Sequence, residues 1–458
     1  MSKVHTPTSI AGNKIERAAV KISRYYFAAL SIFAVFILIY RDVSIFSGSM
    51  LEILAYLVSF ILVICIFLPS DIRIGFSLLT FIVLAFLVGA NVYLAASANN
   101  DWARKFRALT AGVDFDARSK HEVIMDFRRG GVDAVPQIAQ TESSSQGLYP
   151  LGGISRKLTV LCNELGFFAT YHSDRYGFNN PDEVYDNVVP GKSNVVLGDS
   201  FAHGACVHEG QDVASAFRHR GWNSLNLAIS GNGPLHALAS WIEYGQDRKP
   251  DYVLWMFYEG NDLENIISEM VTPLKKYLDQ GFTQDLQAQQ DEISQILSAK
   301  LKIAYERLRL RPEENVSIMF FNQLLTLYHV RKLLGLTRDR SRINEILATL
   351  PTFEQVARRL QANVEATGAK LIFVYLPSFT TITAGGFRSA PPKTGADLKS
   401  NVRDIIGRAG ISFLDFEKVI LSLPDPLAVF PLRIFGHLNA HGYDLLANWI
   451  DEKLAIEN

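Results

Sequence analysis

Cysteine is scarce in this chain, with three in 458 residues. Cys65 falls inside a hydrophobic run, which leaves Cys162 and Cys206 as a conceivable pair that the sequence does nothing further to support. An excess of charge is also missing. Lys and Arg number 45 against 46 Asp and Glu, a net charge of -1, so no dominant basic surface exists and nucleic acid is not expected as a partner. No cluster of His, Cys and carboxylate shows metal-ligand spacing, so no metal is expected. The glycines around Gly231 and Gly233 do not make a GxGxxG fingerprint with its downstream acid, so no dinucleotide or other cofactor is expected either. Internal repeats are absent.

Long apolar runs are what the chain does have, and they lie at one end. Residues 24–41, 53–70 and 74–100 are rich in Phe, Ile, Leu and Val. A membrane crossing needs about 20 such residues, so the third run is ample, the second adequate and the first slightly short. A cleaved signal peptide would not be followed by two more runs, which favours a retained anchor. Lys3, Lys14, Arg17, Lys21 and Arg24, opposed by Glu16, make the leading segment basic. The positive-inside rule then makes residues 1–23 a cytoplasmic tail, followed by an all-α region of three transmembrane helices over 24–99. The chain after about residue 100 is thereby expected on the extracytoplasmic side of a multi-pass membrane protein, in a bacterial inner membrane. Arg104, Lys105 and Arg107 pull the other way. Two crossings with one re-entrant or buried helix would leave that part in the cytoplasm.

Beyond the membrane region the pattern alternates strands and helices, as in a mostly parallel sheet with right-handed crossovers. Buried strands are expected at 195–197, 225–229, 252–258, 370–377 and 411–416. Residues 98–189 read as a connector of mixed structure, with a polar stretch at 141–147 and a turn-rich segment at 173–181. Residues 190–458 form the expected catalytic domain, interrupted by a helical insertion at about 263–350.

Each of the first three strands delivers a short polar block at its C-terminal end, where open α/β sheets place ligands. The blocks are Gly198-Asp199-Ser200, Ser230-Gly231-Asn232-Gly233 and Gly260-Asn261-Asp262; a fourth, His437-Leu438-Asn439-Ala440-His441-Gly442, comes near the end of the chain. A serine hydroxyl is a weak nucleophile until a base takes its proton, and His437 is the candidate base for Ser200. The backbone amides of Ser200 and Gly231 and the side-chain amide of Asn261 are candidate donors to a tetrahedral oxyanion. Asp199 and Asp262 are expected to satisfy backbone amides at their turns, and His203 to be a loop or helix-start histidine.

Over residues 190–455 this set of blocks resembles the SGNH (GDSL-type) hydrolases. The resemblance implies a three-layer α/β sandwich and serine-ester chemistry on small O-acyl esters, with carbohydrate O-acetyl groups or lipids as the main classes. His437-x-Asn439-x-x-Gly442 is similar to the family's histidine block, which leaves His441 as a polar helix position. In the family the histidine follows an acid three residues earlier. Ile434 holds that place here and Phe435 the next, and neither side chain accepts a hydrogen bond. A Ser200–His437 dyad oriented by a backbone carbonyl, an acid from elsewhere such as Asp415 or Asp425, and lost catalysis all fit the sequence; the dyad is favoured. The expectation is therefore a membrane-anchored serine esterase or O-acyltransferase acting on an acyl ester of an envelope glycan or lipid. A silent relative that binds glycan or a membrane partner is the alternative. Nothing in the sequence sets an oligomeric state.

Overall fold

A computed structural model describes residues 7–40, 50–98, 100–138, 147–186, 191–309, 327, 330, 344–384 and 394–457. The chain divides into two compact units, one of residues 1–96 with 319–336 and the other of 97–318 with 337–458.

The first unit carries helices Pro7–Tyr40, Met50–Ile66 and Ser70–Ala98. Among the described residues one helical stretch, Ser70–Leu94, is long and apolar enough to cross a membrane, and Leu57–Ile66 is a shorter apolar one. The expected first run, 24–41, ends outside the described residues. The expected second run stops at Ile66 rather than at residue 70, and the third starts earlier than expected, at Ser70, directly after Pro69. Pro lacks an N–H and suits the start of a new helix. Arg73 is thereby drawn into the third helix. It stays buried by donating to Ser23 Oγ, to the carbonyl of Ile66 at the end of the preceding helix and to that of Leu68 in the linker.

In the second unit, residues expected as a connector hold a three-stranded sheet. Strands β1 (Ala134–Pro136) and β2 (Leu158–Asn163) are parallel, and β3 (Phe168–His172) returns antiparallel to β2. The β2–β3 turn is tied at its base by Asn163, which donates to Asp116 O and accepts from Gly166 N. The described residues of the connector beyond 97 thus belong to the same compact unit as the main sheet.

The main sheet has five parallel strands, β4 (Ser193–Leu197), β5 (Asn223–Asn226), β6 (Tyr252–Tyr258), β7 (Lys370–Leu376) and β8 (Ser412–Asp415), in the order β5-β4-β6-β7-β8. Alternate residues serve opposite faces. Val253, Trp255 and Phe257 belong to one core with Leu371, Phe373 and Tyr375, covered by helices Pro234–Ser240, Leu350–Glu365 and Thr394–Arg408. Leu254 and Met256 join Ile372, Val374 and Leu376 in the other, covered by Val213–His219, Phe416–Ser422 and Ala440–Glu457. Strands buried on both sides explain their near-continuous apolar sequences. The result is a three-layer α/β/α sandwich. β5 is shorter than expected, ending at Asn226, so Leu227 to Ile229 run on as a buried loop. Of the expected insertion, helices Asp262–Glu269 and Gln290–Arg309 are described, and 310–343 lie outside the described residues apart from 327 and 330.

Candidate active site

At the C-terminal end of β4 the chain turns through Gly198, whose φ is +148°. A Cβ there would stand 2.6 Å from the Met256 carbonyl oxygen on the neighbouring strand, so glycine alone lets the turn pass so close. Asp199 follows, fully buried, and accepts from the Phe201 amide at 2.8 Å to start the short helix Ser200–His203. Ser200 is thereby set on a tight strand-to-helix turn.

His437 lies just before the last helix. Asn439 ties that segment down by donating to the carbonyls of Ala428 and Phe430 and accepting from Gly442 N. The His437 imidazole Nε2 sits 2.9 Å from Ser200 Oγ. On the other side of the ring, Nδ1 lies 3.2 Å from Oε1 of Glu164, and the His437 backbone N–H donates to Glu164 Oε2 at 2.8 Å. Glu164 belongs to the β2–β3 turn, in the stretch expected to be a connector. An acid therefore does face the imidazole. Neither a carbonyl-oriented dyad nor the named aspartates describe this geometry: Asp415 pairs with Lys399 and Arg403, and Asp425 caps a turn at Leu427 and pairs with Arg433.

Burial works against charge on Glu164, but the hydrogen bonds and charge of His437 and the Arg104 guanidinium outweigh it and hold the carboxyl below its ordinary range. Arg104 reaches Oε1 at 2.8 Å and lies over the Phe435 ring. Gly436 makes room for the acid, because a Cβ on it would stand 2.6 Å from Glu164 Oε2.

Ser200, His437, Glu164 and Asn261 line one cleft of about 360 Å³, with Arg104 and the rings of Phe201, Tyr258, Phe379 and Phe435 around it. Burial raises the pKa of the Asp199 carboxyl, and the Asn261 amide beside it is among the groups that partly offset this. Gly231 is not part of that lining; it follows Ser230, whose Oγ lies 2.8 Å from Nδ1 of His203 in the nucleophile's helix. His203 is fully buried, and burial pushes its pKa down to about 3, so it stays neutral. Asp262 turns back to accept from the Tyr258 amide, and burial together with the Asp199 charge pushes it well above the carboxylate range. His441 is exposed on the last helix.

Cys162 and Cys206 form a disulfide, and Cys206 Sγ lies 3.7 Å from His437 Nδ1. Glu164, Cys206 and His437 are the one group of potential metal ligands among the described residues. With its sulfur bonded to Cys162, Cys206 is no thiolate, so the cluster does not offer a tetrahedral ligand set. Glu164 carries no motif of its own. The signal that points to it is the cysteine pair, two residues before Glu164 and six after Ser200.

No protein-family model matches the chain, and no curated protein does. Among solved structures it is similar to a lipase/acylhydrolase from Enterococcus faecalis, at 13% identity and TM-score 0.31 over 57% of this chain and 95% of that one. It is also similar to a psychrotrophic esterase from Pseudoalteromonas sp. (11%, TM-score 0.27, 58% and 100%). An acetyl-xylooligosaccharide esterase from Geobacillus is a third (18%, TM-score 0.29, 56% and 91%). These neighbours are acylhydrolases and esterases, at a distance too great to carry their chemistry over to this chain.

Proposed function

We propose that the chain is a membrane-anchored serine esterase or O-acyltransferase that works through an acyl-enzyme on Ser200. The observation that carries this reading is the continuous relay from Ser200 Oγ through the His437 ring to the anionic Glu164. Ser200 attacks the ester carbonyl as His437 Nε2 takes its proton, while Glu164 holds the opposite ring proton and balances the imidazolium. The tetrahedral oxyanion is met by the Asn261 amide and the Ser200 N–H, both of which belong to residues that line the cleft, whereas Gly231, the third donor expected from the sequence, does not line it. The alcohol leaves with the proton from His437. Water or a second hydroxyl then attacks the acyl-Ser200, giving hydrolysis or transfer.

A cleft of about 360 Å³ is at the small end of ligand sites, and it suits a short acyl group such as acetyl on a bulky alcohol like an envelope glycan. Helix Ser70–Leu94 supports an anchor in the bilayer. The Cys162–Cys206 bridge supports an oxidising, extracytoplasmic location, because such bonds persist there. A protein that kept the fold merely to bind would have no use for a buried carboxylate held anionic against His437. The test is hydrolysis of p-nitrophenyl acetate by carbonate-washed membranes bearing the full chain. Activity that stays in the washed membranes and vanishes in Ser200→Ala is expected; equal rates in both proteins, or activity lost to the wash, contradict the serine or the anchor respectively.

A further inference from the structure

We propose that Cys162 and Cys206 are positioning residues of the catalytic relay: their bond locks the Glu164 turn onto the nucleophile's segment, and Glu164 meets His437 only while it is intact. The inference rests on the serine-esterase reading above. Glu164 and Ser200 come from different sheets, and among the described residues no backbone ladder joins the two. The bond spans 44 residues and joins the end of β2 to the turn that follows helix Ser200–His203. Its two ends are two residues from Glu164 and six from Ser200. Cys206 itself holds φ +65°, a conformation rare for a side chain with a Cβ, so its backbone is bent to present the sulfur. That sulfur packs against Nδ1 of His437, the same ring nitrogen that Glu164 faces.

The other links between the two segments are non-covalent: the buried rings of Tyr171 and His203 meet edge to face with centroids 5.1 Å apart, and Leu165 packs against the core that holds Phe201. Phe167 stacks on His208 with centroids 3.9 Å apart, and the Glu209 amide donates to Thr170 O at 3.1 Å. His172 pairs with Glu209 in solvent, with side chains 68% and 50% exposed. Exposed pairs of this kind hold little. A relay tolerates little slack, since a misplacement of about 1 Å can cost a hundredfold in rate.

The experiment measures kcat and KM for p-nitrophenyl acetate on the full chain in detergent. The proteins are wild type, Cys162→Ala/Cys206→Ala, Glu164→Gln and the triple variant. Loss of the bridge is expected to lower kcat about tenfold or more with KM within about twofold, and to change the Glu164→Gln rate less than about twofold, because both changes break one interaction. An unchanged kcat, or an equal fall in both backgrounds, overturns the proposal. If the cysteine variant does not fold, wild type is reduced by a water-soluble phosphine. The phosphine gives two electrons to the S–S bond and becomes its oxide with oxygen from water, whose protons complete two thiols. Full kcat with two thiols freed overturns the proposal; the same tenfold fall supports it. Absence of Ser200-dependent turnover in the bridged protein overturns the esterase reading and this inference with it, a result distinct from an active enzyme indifferent to its bridge.

Discussion

Gly436 shows how narrow the margins at the relay are. Its missing Cβ would lie 2.6 Å from Glu164 Oε2, the oxygen that accepts from the His437 amide, and 2.5 Å from the Pro431 ring. Gly436→Ala is expected to displace the acid and lower kcat by about a hundredfold, with little change in KM; steady-state kinetics at the wild-type kcat would show that the acid is not held by this gap. The residue scale is also where the sequence was least legible. Ile434 and Phe435 correctly exclude a local acid, but Glu164 stands 36 residues before Ser200 in a turn that resembles no motif. A carboxylate acts through distance and direction, and chain proximity encodes neither when the contact spans two sheets.

At the scale of the elements more was readable. β4, β6 and β7 are apolar on both faces, and that continuity marks them as central parallel strands. The sequence extends β5 to Ile229 because Leu227, Ala228 and Ile229 are as buried as strand residues while they run through a loop. The short helix Ser200–His203 holds a histidine that reads in sequence as a loop or helix-start residue and is fully buried in the fold. His203 has a folded pKa of about 3, held down by burial and then by the charge of His437, against about 6.5 unfolded. Stability from keeping it neutral is complete above about pH 6.5 and is lost as the pH falls towards 3, on the order of 2 kcal/mol by pH 4.5. Asp174, raised by burial to about 6, and Glu269, raised by burial to about 7, act with the opposite sign, gaining stability as the pH falls through those values. They are common to wild type and His203→Gln, so the comparison isolates the histidine. Melting temperature is expected to fall less from pH 7 to 4.5 in His203→Gln than in wild type; parallel curves would contradict a buried neutral imidazole.

Across the whole molecule, the site draws on three distant stretches: the β2–β3 turn, the ends of β4 and β6, and the segment before the last helix. Two of these are recognisable in sequence as polar blocks, one at strand ends and one before the last helix. The third reads in sequence as a connector, because the three strands around it are short and β1 has only three residues. The apolar N-terminal runs were equally plain, while their boundaries were set by Pro69 and Arg73, which hydropathy averages over. The central claim is that Glu164 completes the relay, and kcat of the full chain for p-nitrophenyl acetate in Glu164→Gln beside Asp425→Asn tests it most directly. The account predicts a fall of about a thousandfold to ten-thousandfold for Glu164→Gln with KM within about twofold, and no change for Asp425→Asn; wild-type turnover in Glu164→Gln would contradict it.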